Sequence, residues 1–172
     1  MQQLYRENPN LKRANVQIEF SKKQVEEYAK CMEDPVYFTE SYVKIISLDE
    51  GLIPFKLYSF QRQMMWTFHT ERFTICKLPR QSGKSTTIIA YLLHFCLFNP
   101  TVSVAILANK AVVARDLLGR LQLAYEHLPK WLQQGVMTWN KGSLELENGS
   151  KMLASSTSAS AVRGGSYNII FL

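Results

Sequence analysis

The stretch at residues 78–86, LPRQSGKST, constrains the fold of this chain more than any other feature of the sequence. An apolar run with strand character, residues 73–78, precedes it, and an almost wholly apolar run, residues 87–98, follows it and stops at Asn99-Pro100. This order predicts a strand, a loop and a buried helix. A helix N-terminus presents unpaired N–H groups and the positive end of the helix dipole, which together favour a polyphosphate.

The loop fits part of the phosphate-binding pattern G-x-x-x-x-G-K-[ST]. Gly83 allows the backbone to approach a phosphate closely, Lys84 can reach the β- and γ-phosphates, and Ser85 can offer its hydroxyl to Mg²⁺. Leu78 stands at the position of the first glycine, so the match is incomplete, and a loop without a ligand is the alternative. We predict a nucleotide site whose loop contacts are Arg80, Gln81, Ser82, Gly83, Lys84, Ser85 and Thr86.

Composition limits the broad class of the protein. The 172 residues, 47% of them hydrophobic, suffice for one domain with a core, and no stretch reaches the roughly 18 uncharged apolar residues of a membrane span. The first residues lack the apolar segment of a secretory signal, so we expect an intracellular protein.

Three cysteines and three histidines are scattered without metal-ligand spacing. A net charge of +6 and a pI of about 9.3 are compatible with a polyanionic partner, although the basic residues are spread along the chain.

The residues before the loop predict an arm followed by helices. Residues 1–17 carry few apolar side chains and no clear period, which indicates an arm or a loosely docked tail. Ser21 and Gln24 have the spacing of a capping box, which predicts a helix from Ser21 to about Glu33.

A second helix is predicted to begin at once, with Asp34 as its N-cap and Pro35 at its first position, and its apolar residues extend to Ile46. Glycine and proline in residues 49–56 indicate a loop. Ser59 can cap a short third helix that presents apolar residues to the core.

After the phosphate loop, strands and helices alternate. Residues 102–108 predict a strand, and Asn109 can cap a helix whose apolar residues follow the 3.6-residue period as far as Pro129. This alternation predicts an α/β fold with a parallel sheet flanked by helices. The Asn-Gly pair at 148–149 predicts a hairpin outside that sheet, and residues 167–172 predict a buried strand.

Four stretches carry a resemblance to a known family: LYSFQRQM at 57–64, LPRQSGKST at 78–86, VAILANK at 104–110 and STSASAVRGGSYNIIFL at 156–172. In their order and spacing they resemble the ATPase domain of the large terminase subunit, the DNA-packaging motor of tailed double-stranded DNA bacteriophages. The resemblance implies a P-loop NTPase fold of the ASCE or RecA-like type. It also implies two regions, an N-terminal arm and helical extension over 1–56 and the N-terminal part of the ATPase domain over 57–172.

The resemblance assigns roles to several side chains. Arg80 corresponds to an arginine that senses the phosphate or the transition state, and Gln61 to a glutamine that recognises adenine, with Tyr58 or Phe60 holding the ring. Arg163 corresponds to an arginine that acts as a finger toward a nucleotide on a neighbouring subunit. Each role has an alternative. Arg80 is then a surface arginine in a loop, Gln61 belongs to a polar helix face, and Arg163 is an arginine of a structural turn. The catalytic residues implied in this way are Arg80, Lys84 and Arg163.

The resemblance also implies what lies beyond this sequence. In the family, the strand that YNIIFL resembles continues into an Asp-Glu pair, in which the Asp holds Mg²⁺ and the Glu activates water. The chain ends at Leu172, before these Walker B carboxylates. We therefore expect a fold that is incomplete at the C-terminus, and we expect the 172 residues alone to be inactive.

The function implied is ATP binding, with Mg²⁺, by part of a motor that couples ATP hydrolysis to translocation of double-stranded DNA into the procapsid. Such a motor works in the host cytoplasm at the procapsid portal, with no membrane. Its implied partners are DNA without sequence preference, the portal protein, the small terminase subunit and copies of itself in a ring. Two alternatives stay open: a fragment of a superfamily 2 helicase or translocase, and a regulator that binds nucleotide without turnover.

Overall fold

The computed structural model describes residues 4–47, 49–157 and 165–172. A 3-10 turn, Tyr5–Glu7, precedes the regular elements. In chain order these are α1 (Lys22–Glu33), α2 (Pro35–Tyr42), β1 (Lys44–Ser47), β2 (Gly51–Pro54), α3 (Ser59–Thr70), α4 (Lys84–Phe98), β3 (Ser103–Ala108), α5 (Ala111–Glu126), β4 (Val136–Trp139), β5 (Ser143–Leu146), β6 (Lys151–Ser156) and β7 (Ile169–Phe171). Within the described residues, no helix has both the length and the apolar character needed to cross a membrane.

Five strands form the main sheet, in the order β4-β5-β6-β3-β7. Strand β3 is parallel to both of its neighbours, whereas β5 is antiparallel to β4 and to β6. The prediction of a parallel sheet is therefore correct only in part, and the fold is a mixed α/β fold. The reason is the turn at 146–149, closed by a bond from the Gly149 N–H to the Leu146 carbonyl, because a connection this short can join only antiparallel strands.

The hairpin at the Asn-Gly pair is confirmed, but it lies inside the main sheet. Its second strand, β6, is the middle strand of the sheet and pairs with β3 on the side away from β5. Strand β7 confirms a strand within residues 167–172, but the prediction that it is buried is wrong. It is the edge strand of the sheet, and 50% of Ile170 is exposed.

Strand β3 and helices α4 and α5 form the centre of the core. Val104 and Ile106 of β3 are 1% and 0% exposed, and the intervening Ala105 is also buried. Burial on both faces explains why this strand is an unbroken apolar run. Helix α4 confirms the predicted buried helix, because most of its residues from Thr87 to Leu97 are buried. Helix α5 packs on β3 and β6 with its periodic apolar face.

The first helix starts as the sequence predicts. Ser21 and Gln24 form the capping box, with the Gln24 N–H donating to Ser21 Oγ at 3.3 Å and the Ser21 N–H donating to Gln24 Oε1 at 2.9 Å. The Asp34 carboxylate caps α2 by accepting from two N–H groups, and Pro35 is the first residue of that helix. Helix α2 ends earlier than predicted, because the chain turns into β1, where Ile46 pairs with Leu52.

Two other helix starts lie one residue from their predicted positions. Helix α3 has Tyr58 rather than Ser59 at the N-cap, because the Gln61 side chain accepts from the Tyr58 N–H. Helix α5 has Lys110 rather than Asn109 at the N-cap.

Residues 49–56 are not all loop. Strand β2 pairs with β1 in an antiparallel hairpin that is separate from the main sheet. Gly51 has a φ of 72°, which a side chain would oppose, and it lets the chain reverse into β2. A bond of 2.9 Å from the Phe55 N–H to the Val43 carbonyl closes the base of this hairpin.

The strand predicted over residues 73–78 does not form. In the described parts of the chain, no β-bridge joins this segment to another residue. Phe73 is 85% exposed and Ile75 is 98% exposed. Side chains that favour strands are not sufficient, because the backbone N–H and C=O groups must also form hydrogen bonds to a neighbouring strand.

The N-terminal arm is docked, so the alternative of a loosely docked tail is wrong for residues 4–15. Leu11 is 1% exposed and belongs to the same core as the central helices. The Val136 N–H donates to the Lys12 carbonyl at 2.9 Å, which attaches the arm to strand β4. The buried Gln133 amide accepts from the Lys12 N–H and donates to the Asn10 carbonyl, which secures the arm further.

Candidate functional site

The predicted phosphate-binding loop, called the phosphate loop below, has a tight turn at the start of α4. Gly83 is the N-cap residue and has a φ of 73°, in the left-handed region. A Cβ atom at this position would lie 2.6 Å from Gln61 Nε2. The backbone conformation therefore favours glycine here, and a side chain at this position would also displace the end of Gln61.

The first turn of α4 has free N–H donors. An α-helix leaves its first N–H groups without intrahelical partners, which applies here to Lys84, Ser85 and Thr86. The first backbone bond of the helix runs from the Thr87 N–H to the Gly83 carbonyl at 3.0 Å. These donors and the positive end of the helix dipole form a site that suits an anion.

Residues 79–82 curve around this helix end. Gln81 has a φ of 60°, which is uncommon for a residue other than glycine and indicates a loop held in a special shape. The Lys84 ammonium donates to the Pro79 carbonyl at 3.1 Å, so its positive charge lies across the loop. The Ser82 hydroxyl is buried and, among the described residues, has no hydrogen-bond partner. Beside the helix N-terminus, the described residues thus place the Lys84 ammonium, the Arg80 guanidinium and the Ser82 hydroxyl, which has no partner.

Gln61 connects α3 to the loop. Its side chain is almost completely buried, with Oε1 accepting from the Tyr58 N–H at 2.9 Å and Nε2 donating to the Ser82 carbonyl at 3.3 Å. An amide group has a second hydrogen and a second lone pair beyond these two bonds. Its predicted recognition of adenine stays a prediction, and what the structure shows is a bridge that positions the loop.

A cleft of about 840 Å³ opens beside the loop. This volume is within the range of about 300–1,000 Å³ that is common for small-molecule sites. The loop side is lined by Gln81, Ser82, Gly83 and Thr86, and the remaining wall is mostly apolar or aromatic. That wall comprises Ile45, Ile53, Pro54, Phe55, Tyr58, Phe60, Leu78 and Pro79, together with Glu50, Lys56 and Gln61.

The start of α3, which carries Tyr58 and Gln61, is held by Glu40. One carboxylate oxygen accepts from the Leu57 N–H at 3.1 Å and from the Arg62 guanidinium at 2.8 Å. Burial alone would raise the pKa of Glu40, but these two bonds and the nearby positive charges outweigh it and lower the pKa. The carboxylate therefore stays ionised and fixes the entry into this helix.

Not all of the predicted site residues line the cleft. Tyr58, Gln61, Gln81, Ser82, Gly83 and Thr86 do, whereas Arg80, Lys84 and Ser85 lie in the adjoining loop and helix turn. Arg80 is exposed to solvent. Arg163 lies outside the described residues, so its predicted role is not tested. No cluster of three or more His, Cys, Asp or Glu side chains that could hold a metal occurs among the residues described.

A family model described as the N-terminal region of the terminase large subunit, T4likevirus-type, matches residues 75–172. This match covers more than half of the chain. The chain belongs to the terminase large subunit family. Its general function is therefore in phage DNA packaging, and members of this family are generally ATPases.

The terminase match begins within the exposed segment before the phosphate loop and takes in the loop, α4 and the whole main sheet. It does not include Tyr58, Gln61 or the β1–β2 hairpin. The part of the cleft wall formed by residues 45–61 is thus supported by geometry alone.

Sequence patterns missed the residues that the hairpin brings to this terminase cleft, above all Ile45, Glu50 and Ile53. A signal was present. Two short apolar runs, KIIS at 44–47 and LIP at 52–54, flank a segment that contains Asp49, Glu50 and Gly51, and this arrangement is typical of a β-hairpin.

Proposed function

We propose that this chain binds ATP in the cleft, with the triphosphate at the N-terminus of α4, as part of a P-loop ATPase. One observation carries the proposal. The N-terminus of a buried helix, with Gly83 as its N-cap, adjoins a cleft whose other walls are mostly apolar and aromatic. A nucleotide has the same two-part character, with an anionic tail and a flat base.

The loop side chains have distinct roles in this proposal. Lys84 leaves the Pro79 carbonyl to contact the β- and γ-phosphates, which accept charge-assisted hydrogen bonds more strongly than a carbonyl does. Ser82 uses its unpartnered hydroxyl on a phosphate oxygen. Arg80 is exposed beside the loop, where its guanidinium can neutralise charge that develops during phosphoryl transfer.

The chemistry of the loop also fits Mg²⁺, since a hydroxyl from the residue after the lysine is the ligand that such loops contribute. The free helix end and the uncommitted Ser82 hydroxyl provide the matching anion site. Ser85 would hold the ion, which when bound supplies positive charge to the β- and γ-phosphates.

The wider role that we propose follows from family membership. The ATP site belongs to a motor that couples hydrolysis to the translocation of double-stranded DNA into the procapsid. In this role the chain works at the procapsid portal in the host cytoplasm, in a ring of copies that contacts the portal protein and the small terminase subunit. Arg163 acts there as a finger toward the nucleotide of a neighbouring copy.

The test is a calorimetric titration of the protein and of Lys84→Ala with ATP in the presence of Mg²⁺. Loss of a charge-assisted contact should weaken binding by about 1.5–3 kcal/mol, which is roughly ten- to 150-fold. Lys77→Ala is the control, because Lys77 is an exposed lysine outside the phosphate loop, and its affinity should match that of the parent. Equal affinities in the parent and in Lys84→Ala would contradict the proposed site.

A further inference from the structure

The β1–β2 hairpin supplies a large part of the cleft lining, although it is remote in sequence from the phosphate loop. Ile45 comes from β1, and Ile53 and Pro54 come from β2. The hairpin and the loop line the same cavity, so an occupant that fills the cavity contacts both.

The two faces of the hairpin differ in exposure. Ile45 pairs with Ile53, and the next pair is Ile46 with Leu52. Successive side chains of a strand point to opposite faces, so the first pair shares one face and the second pair shares the other. Ile46 and Leu52 are 63% and 42% exposed, whereas Ile45 and Ile53 are half-buried and line the cleft.

Aromatic rings line the same cavity. The rings of Tyr58 and Phe60 are nearly parallel, with their centroids 5.9 Å apart and their planes 9° from each other. Tyr58 is 69% exposed, an unusual state for a large ring beside a core, and it leaves a face open to an occupant. The branched aliphatic pair and the aromatic pair are both suited to contact a flat, weakly polar ring.

Charge orients an occupant in this cavity. Glu50, in the turn of the hairpin, is the acidic side chain among the described residues of the lining. A carboxylate repels phosphate groups, whereas the helix end at Gly83 attracts them. Lys56 also lines the cleft, but Glu40 is close enough to interact with its charge. The anionic end of a ligand therefore belongs at the loop, and its uncharged end belongs at the hairpin.

We propose that the β1–β2 hairpin is the base-binding wall of the ATP site, with Ile45 and Ile53 packed against the purine ring. This inference rests on the proposed ATP site and adds a specific element to it. The wall is preformed, because the strand ladder and the bond from the Phe55 N–H to the Val43 carbonyl fix its shape.

The experiment compares Ile53→Ala with Leu52→Ala, its neighbour on the opposite face of the same strand. Each protein is titrated calorimetrically with ATP and with inorganic tripolyphosphate, which has no base. Ile53→Ala should weaken ATP binding about fivefold or more, because apolar contact with the ring is lost, and should leave tripolyphosphate binding unchanged. Leu52→Ala should change neither affinity. Ile45→Ala, on the cleft face of β1, should behave like Ile53→Ala.

Three outcomes would overturn the inference while the phosphate site stands: equal ATP affinities for Ile53→Ala and Leu52→Ala, a parallel loss of tripolyphosphate binding, or a parent that binds tripolyphosphate as tightly as ATP. A parent that binds neither compound would overturn the proposed function itself. Thermal unfolding of all variants, followed by circular dichroism, checks that the affinities are compared between folded proteins.

Discussion

Strand β3 and residues 73–78 have similar sequences but different structures. Both are short runs that contain isoleucine and other apolar residues, and both precede a helix with a polar segment between. Strand β3 is hydrogen-bonded on both sides, to β6 and β7, and its Ile106 is 0% exposed. Residues 73–78 have no ladder partner in the described parts of the chain, and Ile75 is 98% exposed.

The difference shows that an apolar, strand-forming composition is not sufficient for a strand. The segment must also pair with a neighbouring strand. A strand with a neighbour on each side, such as β3, satisfies its backbone groups in two ladders, and β3 buries both of its faces. The segment before the phosphate loop has the same side-chain tendency without a neighbour to pair with. An unpaired apolar segment of this kind is a surface that favours association with another strand.

The largest expected effect comes from placing the same substitution in both regions. Ile106→Asp puts an unpaired charge at the centre of the core and should cost more than about 4 kcal/mol, which is enough to abolish cooperative folding. Ile75→Asp exchanges one exposed side chain for another and should change the free energy of unfolding by less than about 0.5 kcal/mol. Urea unfolding followed by circular dichroism measures both.

Similar losses of stability in these two variants would contradict the difference described between β3 and residues 73–78. They would mean that residues 73–78 are packed in solution. A lower tendency to aggregate in Ile75→Asp than in the parent would sharpen the comparison, because the charge would then interrupt an exposed apolar segment.

A smaller effect on stability is expected from a buried histidine in α4. His94 lies in the packed half of this helix and is 1% exposed. Its Nε2 donates to the Cys31 carbonyl at 2.8 Å, and Nδ1 has no partner among the described residues. Burial is the main cause that lowers the pKa of His94 from 6.5 to about 4, against the opposing effect of the bond to Cys31.

The direction in which pH changes the stability of the protein follows from proton linkage at His94. Between pH 6.5 and about 4 the unfolded chain binds a proton at His94 and the folded chain does not, so stability is lost as the pH falls through this window. The loss approaches about 3 kcal/mol at its limit, at roughly 1.4 kcal/mol per pKa unit. His94→Phe keeps a ring at this position without a titratable nitrogen, so its free energy of unfolding should vary less with pH over the same window. Identical slopes for parent and variant would show that His94 does not contribute.

The local parts of this structure could be predicted from the sequence. The capping box at Ser21, the start of α2 at Pro35 and the helix that follows Gly83 all depend on residues within a few positions of each other. The phosphate-binding role of residues 80–86 stays a prediction, and it rests on the same kind of local pattern because its candidate residues are consecutive. Patterns over short distances carry this information because helix caps and tight turns are local structures.

The parts that could not be predicted depend on contacts between distant residues. The Glu147 carboxylate accepts from the Lys12 ammonium and from the N–H groups of Asn15 and Gly135. Burial opposes ionisation of Glu147, but these bonds outweigh it and lower its pKa, so the carboxylate holds the arm in place. No period or motif in residues 4–15 indicates such a partner more than 130 positions away. The short strand β4 and the approach of the hairpin to the phosphate loop were missed for the same reason.

The central claim is that the first turn of α4 binds the triphosphate of ATP. Hydrogen–deuterium exchange with and without ATP and Mg²⁺ tests it most directly, because the N–H groups of Lys84, Ser85 and Thr86 cannot bond within the helix and should exchange rapidly in the free protein. We predict that ATP slows exchange at residues 82–86, with strand β3 unchanged as an internal reference. Exchange at residues 82–86 that ATP leaves unaltered at saturating concentration, or protection confined to another region, would contradict the account.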